Sequence, residues 1–139
     1  YAFARSLLRA TEIDLADCPD LGPVLFTLGC FCSGETVIHN AGRLRMKESD
    51  RIEAMQTELQ KMGARITVDG DDVHITGVAL HAPEGPLSGH NDHRVVMALA
   101  VAACAAGLPA CILGAGAVNK SWPAFWDVLR ALGGKVEWE

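Results

Sequence analysis

No apolar run in this chain is long enough to span a bilayer. The longest, Val95–Leu108, falls short of the roughly 20 residues a membrane helix needs and reads as a buried helix. No signal peptide is evident either, so the expected compartment is the cytoplasm and no membrane partner is expected. Positive charge is scarce: 12 lysines and arginines face 17 aspartates and glutamates, for a net charge of −5, which argues against a nucleic-acid or polyanion surface. The five cysteines, Cys18, Cys30, Cys32, Cys104 and Cys111, contain no CxxC pair and no histidine partners at zinc-finger distances. An odd set with four members inside apolar runs reads as buried, reduced thiols. His39, His74, His81 and His90 show no ligand spacing, so no metal site is expected. Gly114-Ala115-Gly116 lacks the third glycine of a dinucleotide loop and is followed by Lys120, which argues against a nucleotide fold.

What is present is one domain's worth of chain, 139 residues, half of them apolar, enough to bury a core. Tyr1 stands in place of an initiator Met and runs straight into Ala-Phe-Ala-Arg-Ser-Leu-Leu, so the chain is expected to be a fragment. Its organisation is a repeat. Leu21–Cys32 is apolar on nearly every face, follows Pro19-Asp20 and ends at Gly34. A short strand (Thr36-Val37-Ile38), a loop to Lys47, an amphipathic helix ending at Met62-Gly63 and a strand pair (Ala64–Val68, Val73–Thr76) follow. About seventy residues on, the order returns: an all-apolar helix Val95–Ala106, a short strand Ala110–Leu113, a loop to Lys120, a helix Pro123–Leu132 and a closing strand Lys135–Trp138. Residues 78–90, rich in Pro and Gly, join the halves. The expected fold is α/β (α+β), with repeats over approximately 13–77 and 87–139. The all-apolar helices are expected to be buried on all sides, and the amphipathic ones to cover a sheet.

The most informative polar stretch is Lys47-Glu48-Ser49-Asp50-Arg51. Apolar Ile52, Met55, Leu59 and Met62 have helical spacing, and a helix drawn from Met46 to Met62 turns Glu48 along the same stripe, between Lys47 and Arg51. Such a run could be an ordinary helix start with surface ion pairs. An acid and two cations aimed where a core ends instead look like a site. Asp20, Lys47-Glu48-Arg51, Asp92-His93-Arg94 and Lys120 all fall at predicted helix N-termini. Four such ends on one edge would aim free amides and dipoles at a common point and make an anion site. Arg51, Arg94 and Lys120 would add charge, the arginines as carboxylate or phosphate forks. Taken singly, Asp20 and Asp92 could simply be N-caps, and Lys120 a solvated loop lysine. Trp122, Phe125 and Trp126 read as packing on the last helix.

Arg45-Met46-Lys47-Glu48-Ser49-Asp50-Arg51, Asn91-Asp92-His93-Arg94 and Asn119-Lys120-Ser121-Trp122-Pro123 resemble three C-terminal signatures of the 5-enolpyruvylshikimate-3-phosphate synthase family, and Asp17-Cys18-Pro19-Asp20 resembles its aspartate segment. The resemblance covers essentially the whole chain. It implies two lobes of three βαβαββ units each, of which this chain would carry the last two units of one lobe. It also implies transfer of the enolpyruvyl group of phosphoenolpyruvate to the 5-hydroxyl of shikimate 3-phosphate, with release of phosphate through a tetrahedral intermediate. That is a step of the shikimate pathway to aromatic amino acids.

Carried over residue by residue, the resemblance makes Asp20 a contact of the shikimate hydroxyls and a candidate base. Glu48 would exchange a proton with the phosphoenolpyruvate methylene, Arg51 and Arg94 would hold the substrate carboxylate, and Lys120 its phosphate. Lys47 would face the shikimate side, and His93 would lie beside the transferred group. Arg43 stands where some members carry an asparagine that binds shikimate phosphate, so its role is left open. No metal or organic cofactor is implied. Other phosphate-binding residues lie in the N-terminal portion of the family's chain, so this piece alone is expected to be inactive. Two alternatives stand beside this reading. One is UDP-N-acetylglucosamine enolpyruvyl transferase, disfavoured by the wording of the signatures; the other is a non-catalytic anion-binding or assembly module, disfavoured by the two acids among the cations.

Overall fold

The computed structural model describes residues 7–138. Its first half runs β1 (Glu12–Asp14), α1 (Gly22–Cys30), β2 (Glu35–His39), α2 (Arg51–Gln60), β3 (Arg65–Asp69) and β4 (Asp72–Thr76). The second half runs β5 (Leu87–Ser88), α3 (His93–Ala106), β6 (Ile112–Leu113) and α4 (Phe125–Ala131). Four strands lie in the order β1-β2-β4-β3, β1 parallel to β2 and the other pairs antiparallel. Strands β5 and β6 form a separate parallel pair. The first half is a complete βαβαββ unit, and the second repeats its βαβα portion.

Alternation makes the four-stranded sheet one-sided. Thr36 and Ile38 of β2, Ile66 of β3, and Val73 and Ile75 of β4 are buried, while their strand neighbours are half-buried or exposed. The hairpin between β3 and β4 closes on Gly70-Asp71, with Gly70 at φ +61°, a conformation such a turn demands and glycine adopts without strain. Helices α1 and α2 bring Phe26, Cys30, Ile52, Met55 and Leu59 into this core, and α3 adds Val95, Leu99 and Ala102. A second cluster forms on the other side of α3, where Val96 and Ala100 meet Val118, Phe125 and Trp126. The Phe125 and Trp126 rings pack edge to face with centroids 4.9 Å apart, a packing role the sequence anticipates. Trp122 packs edge to face on Phe125 and is half-exposed.

The structure departs from the sequence reading in four places. Helix α2 starts at Arg51, not Met46. A 3₁₀ turn (Ala41–Met46) ends first, Lys47 and Asp50 have extended backbone, and the Asp50 carboxylate accepts the N–H groups of Ile52 and Glu53 at 3.0 Å each. An aspartate that caps cannot lie inside the helix. Lys135–Trp138 forms no strand; it packs under α4 as irregular chain, with the Val136 carbonyl accepting from Arg130 and Trp138 against Trp126. In the first half β3 is held by β4, and Lys135–Trp138 has no such partner among the described residues. Helices α1 and α3 are not buried all round: Val24 and Leu28 on one, Val101 and Cys104 on the other, are exposed. The thiols divide accordingly. Cys30 and Cys32 are buried, and burial pushes the Cys30 thiol up to about 11, whereas Cys104 and Cys111 are exposed and Cys18 half-buried. Among the described residues no helix is long and apolar enough to cross a membrane.

Just beyond β4 the chain passes so close to α1 that a Cβ built on Gly77 would stand 1.6 Å from the backbone oxygen of Cys32. Gly77→Ala is therefore expected to lower stability by about 3 kcal/mol or more. Gly116→Ala, where a Cβ meets nothing within 4 Å, should change it by less than about 0.5 kcal/mol. Denaturant midpoints of the two variants check the contrast.

Candidate functional site

Three helix starts meet at one side chain. Asp50 caps α2 and so makes Arg51 its first residue; Asp92 caps α3 by accepting the Arg94 N–H at 2.9 Å; and a 3₁₀ turn, Pro19–Leu21, leads Asp20 into α1. Arg51, 1% exposed, joins them. Its Nε donates to Asp92 Oδ2 at 2.8 Å and its Nη2 to Asp92 Oδ1 at 3.3 Å. Nη2 also donates to Glu48 Oε2 at 2.6 Å, and Nη1 to Asp20 Oδ1 at 3.1 Å. Four of the five guanidinium N–H groups are thus committed. Asp92 is wholly buried and also accepts the Ser49 hydroxyl at 3.1 Å.

Asp20 gathers the remaining cations. Its Oδ1 lies 3.3 Å from Lys47 Nζ, and its Oδ2 and backbone carbonyl accept from Arg94 at 3.1 and 3.2 Å. Asp20 is not an N-cap; α1 has no side-chain cap, and the carboxylate faces cations only. Glu48 precedes α2, so it does not ride the core stripe, yet it still reaches Arg51 with its side chain 45% exposed. Lys47 and Arg51 do not flank Glu48 as a helical pair; both turn to Asp20. The cluster is three cations set against three carboxylates, rather than a bare cationic edge. Burial acts to raise the Asp20 carboxyl, but Lys47, Arg94 and Arg51 outweigh it and hold it below the usual aspartate range. Burial likewise opposes charge on Asp92, and the bonds from Arg51, Arg94 and Ser49 reverse that. Arg51, penalised by burial, is held protonated by Asp92, Glu48 and Asp20.

Lys120 is the last residue of a 3₁₀ turn, Ala115–Lys120, so it adds no helix N-terminus, and a fourth converging dipole is not found among the described residues. Its Nζ instead donates to Asn91 O and Oδ1 at 2.7 and 2.8 Å, one residue from the Asp92 cap. His93 is 8% exposed, and its Nδ1 is one of two buried side-chain polar atoms without a partner among the described residues. Arg43 is not brought into the cluster. Its Nη1 donates to Ala16 O at 3.2 Å, beside an open cavity of about 530 Å³ lined by Asn40, Met46 and Asp71. No group of His, Cys, Asp or Glu among the described residues is arranged to hold a metal ion.

Sequence reasoning missed Glu58. It is 2% exposed in α2, and accepts from Lys61 Nζ at 2.7 Å and Ser88 N–H at 2.8 Å, with His90 Nε2 at 3.1 Å. The signal was available: Glu58 follows Arg51 by seven residues, two helical turns, and shares its flank of the apolar stripe. Burial works against its charge, but Lys61, Ser88 and His90 together hold its carboxyl below the usual glutamate range.

The βαβαββ scaffold that carries this cluster is the fold of solved enolpyruvyl transferases. A family model for EPSP synthase (3-phosphoshikimate 1-carboxyvinyltransferase) matches residues 2–129, and the chain belongs to that family. The 3-phosphoshikimate 1-carboxyvinyltransferase of Clostridium acetobutylicum is 45% identical over 139 residues, covering 99% of this chain and 32% of that protein. That of Brachyspira hyodysenteriae is 43% identical over 129 residues, covering 93% and 30%. The chain thus spans about a third of the length of the curated relatives it matches. Among solved structures, an EPSP synthase from Acinetobacter baumannii superposes with a TM-score of 0.86 at 29% identity, over 94% of this chain and 32% of that one. The enolpyruvyl transferase NikO from Streptomyces tendae shares the fold, with a TM-score of 0.75 at 23% identity over 96% and 30%.

Asp92→Ala removes the buried partner of Arg51 and the cap of α3 together, and should cost about 3–5 kcal/mol by denaturant titration. Acid should act in the same direction. Asp92 and Glu58 have folded-state pKa values below their ordinary 3.8 and 4.5, so their stabilisation is whole above those values and is lost as pH falls through the folded ones. Thermal midpoints should drop as the pH falls below about 4.5, and drop less steeply in Asp92→Asn.

Proposed function

We propose that this chain is the C-terminal part of one lobe, with units of approximately 13–77 and 87–139, of a cytoplasmic enzyme acting on phosphoenolpyruvate and shikimate 3-phosphate. The reaction adds the 5-hydroxyl of the shikimate ester to C2 of phosphoenolpyruvate while C3 gains a proton. The tetrahedral adduct then loses phosphate and a proton from the new methyl group. The observation that carries the reading is the cluster itself: a guanidinium anchored on buried Asp92 and flanked by the half-exposed carboxylates of Asp20 and Glu48.

The chemistry needs two proton-transfer groups, because a hydroxyl loses a proton while a methylene gains one. Asp20 is the proposed base for the hydroxyl, and Glu48 the group that exchanges a proton with the methylene. The low pKa of Asp20 would make it a poor base while three cations attend it. Two anionic substrates supply a remedy. When Arg51 and Arg94 turn to the phosphoenolpyruvate carboxylate, the charges that depress Asp20 are redirected and its basicity rises. Lys120 takes the donor's phosphate, Lys47 lies toward the shikimate side through Asp20, and unpartnered His93 faces the transferred group. Arg43, 3.2 Å from the Ala16 carbonyl, has no assigned step. Positioning and fixed charge supply much of the rate in such a site. The exposed stripes at Val24, Leu28, Val101 and Cys104 are surfaces for the remainder of the lobe, and activity is expected only from the full-length protein.

The test is phosphate release from phosphoenolpyruvate by that protein, with shikimate 3-phosphate and UDP-N-acetylglucosamine as separate acceptors. Turnover with the shikimate ester alone is expected; turnover with the sugar nucleotide alone, or with neither, overturns the reading. Asp20→Asn and Glu48→Gln should each lower kcat by about 10²–10⁴-fold with the substrates still bound.

A further inference from the structure

Helix α2 buries two ionised side chains of opposite sign, Arg51 and Glu58, only 1% and 2% exposed. Seven residues apart, they project within about 20° of one direction, two turns along the axis. Both reach the same short segment. Arg51 takes the Asp92 carboxylate, and Glu58 takes the Ser88 N–H at 2.8 Å and His90 Nε2 at 3.1 Å. Lys61 braces the second point, donating to Glu58 at 2.7 Å and to the Pro86 carbonyl at 3.3 Å, while its own carbonyl accepts the Glu84 N–H at 3.1 Å.

Between the two points the chain turns through His90 at φ +49° and Asn91 at φ +55°. Two successive non-glycine residues in the left-handed region are strained and persist only where the surroundings hold them. The same turn carries the groups of the anion cluster. Asn91 fixes Lys120 through two acceptors, Asp92 anchors Arg51 and caps α3, and His93 and Arg94 follow on that cap.

We propose that Glu58 is a positioning residue, the second point of a clamp with Arg51 by which α2 sets the Ser88–Arg94 turn and, through it, Lys120 and His93. Glu58 touches none of the groups assigned to substrate; it acts through Ser88 and His90. Its consequence for turnover rests on the phosphoenolpyruvate reading above, whereas its consequence for the turn does not. A carboxylate suits the task because one group satisfies an amide, an ammonium and an imidazole at once.

The experiment compares the full-length protein with its Glu58→Ala and Glu58→Gln variants by amide hydrogen exchange and steady-state kinetics. In Glu58→Ala, amides of residues 88–94 should exchange about tenfold faster or more while those of β2 and β4 keep their rates. KM for phosphoenolpyruvate should rise about tenfold, with KM for shikimate 3-phosphate changing less than about threefold. Glu58→Gln, which keeps an acceptor for the Ser88 N–H, should recover most of both effects. Unchanged exchange at 88–94, or a rise spread evenly over the protein, overturns the proposal. If wild-type protein shows no turnover, the substrate reading fails and the exchange comparison alone decides the clamp. Should Glu58→Ala fail to fold, His90→Ala on the surface carries the same measurement, with the same two outcomes.

Discussion

The guanidinium of Arg51 ties the two halves of this chain together at the place where their helices begin. It is buried on α2, its anchor Asp92 is buried on α3, and its outer nitrogens hold Asp20 ahead of α1 and Glu48 ahead of α2. Taking a guanidinium and a carboxylate out of water is costly, and their attraction repays it only with good geometry and satisfied hydrogen bonds. Both conditions are met: Asp92 receives Arg51 through two bonds and also accepts from Ser49 and the Arg94 amide. A hydrophobic pair could fill the same volume at no loss of stability. What an apolar pair could not do is fix three helix starts to one another while holding the half-exposed carboxylates of Asp20 and Glu48 at the junction.

That outward face is close to neutral because acids and cations match, which sharpens how it would work. A site of bare cations would bind any anion, whereas a site of paired charges exchanges partners. The half-exposed acids, Asp20 and Glu48, are the partners that could yield, while buried Asp92 is the one that stays. Exchange of this kind would place incoming anions beside carboxylates whose basicity rises as their cations leave. Glu58 belongs to the same logic one step removed. It holds no member of the cluster, but it holds the turn from which Asn91, Asp92 and His93 project.

Much of this was legible in the sequence because periodicity reports which residues face a core. Ile52, Met55, Leu59 and Met62 are all buried, the strand alternation of Thr36–Ile38 and Val73–Ile75 holds, and the apolar helices fall at Gly22–Cys30 and His93–Ala106. The signature segments do come together, Lys120 joining through Asn91, while Arg43, which lies outside them, stays apart. Periodicity failed where capping decides. Asp50 ends the helix before Glu48, so Glu48 reaches Arg51 from extended chain rather than along a helical stripe. It failed also at Lys135–Trp138, whose β-prone residues form a strand only with a partner beside them. Partner choice among charges was the other blind spot: hydrogen bonds across 31 to 74 residues join Asp20 to Arg51 and Arg94, and local pattern does not reach that far.

The most direct test of the partner-exchange account is a crystal structure of the full-length protein with phosphoenolpyruvate and shikimate 3-phosphate bound to a catalytically slowed variant. The account predicts that Arg51 Nε keeps its 2.8 Å bond to Asp92 while Nη1 and Nη2 leave Asp20 and Glu48 for a substrate carboxylate. A complex in which Arg51 retains all three carboxylates, with both substrates bound elsewhere, would contradict it.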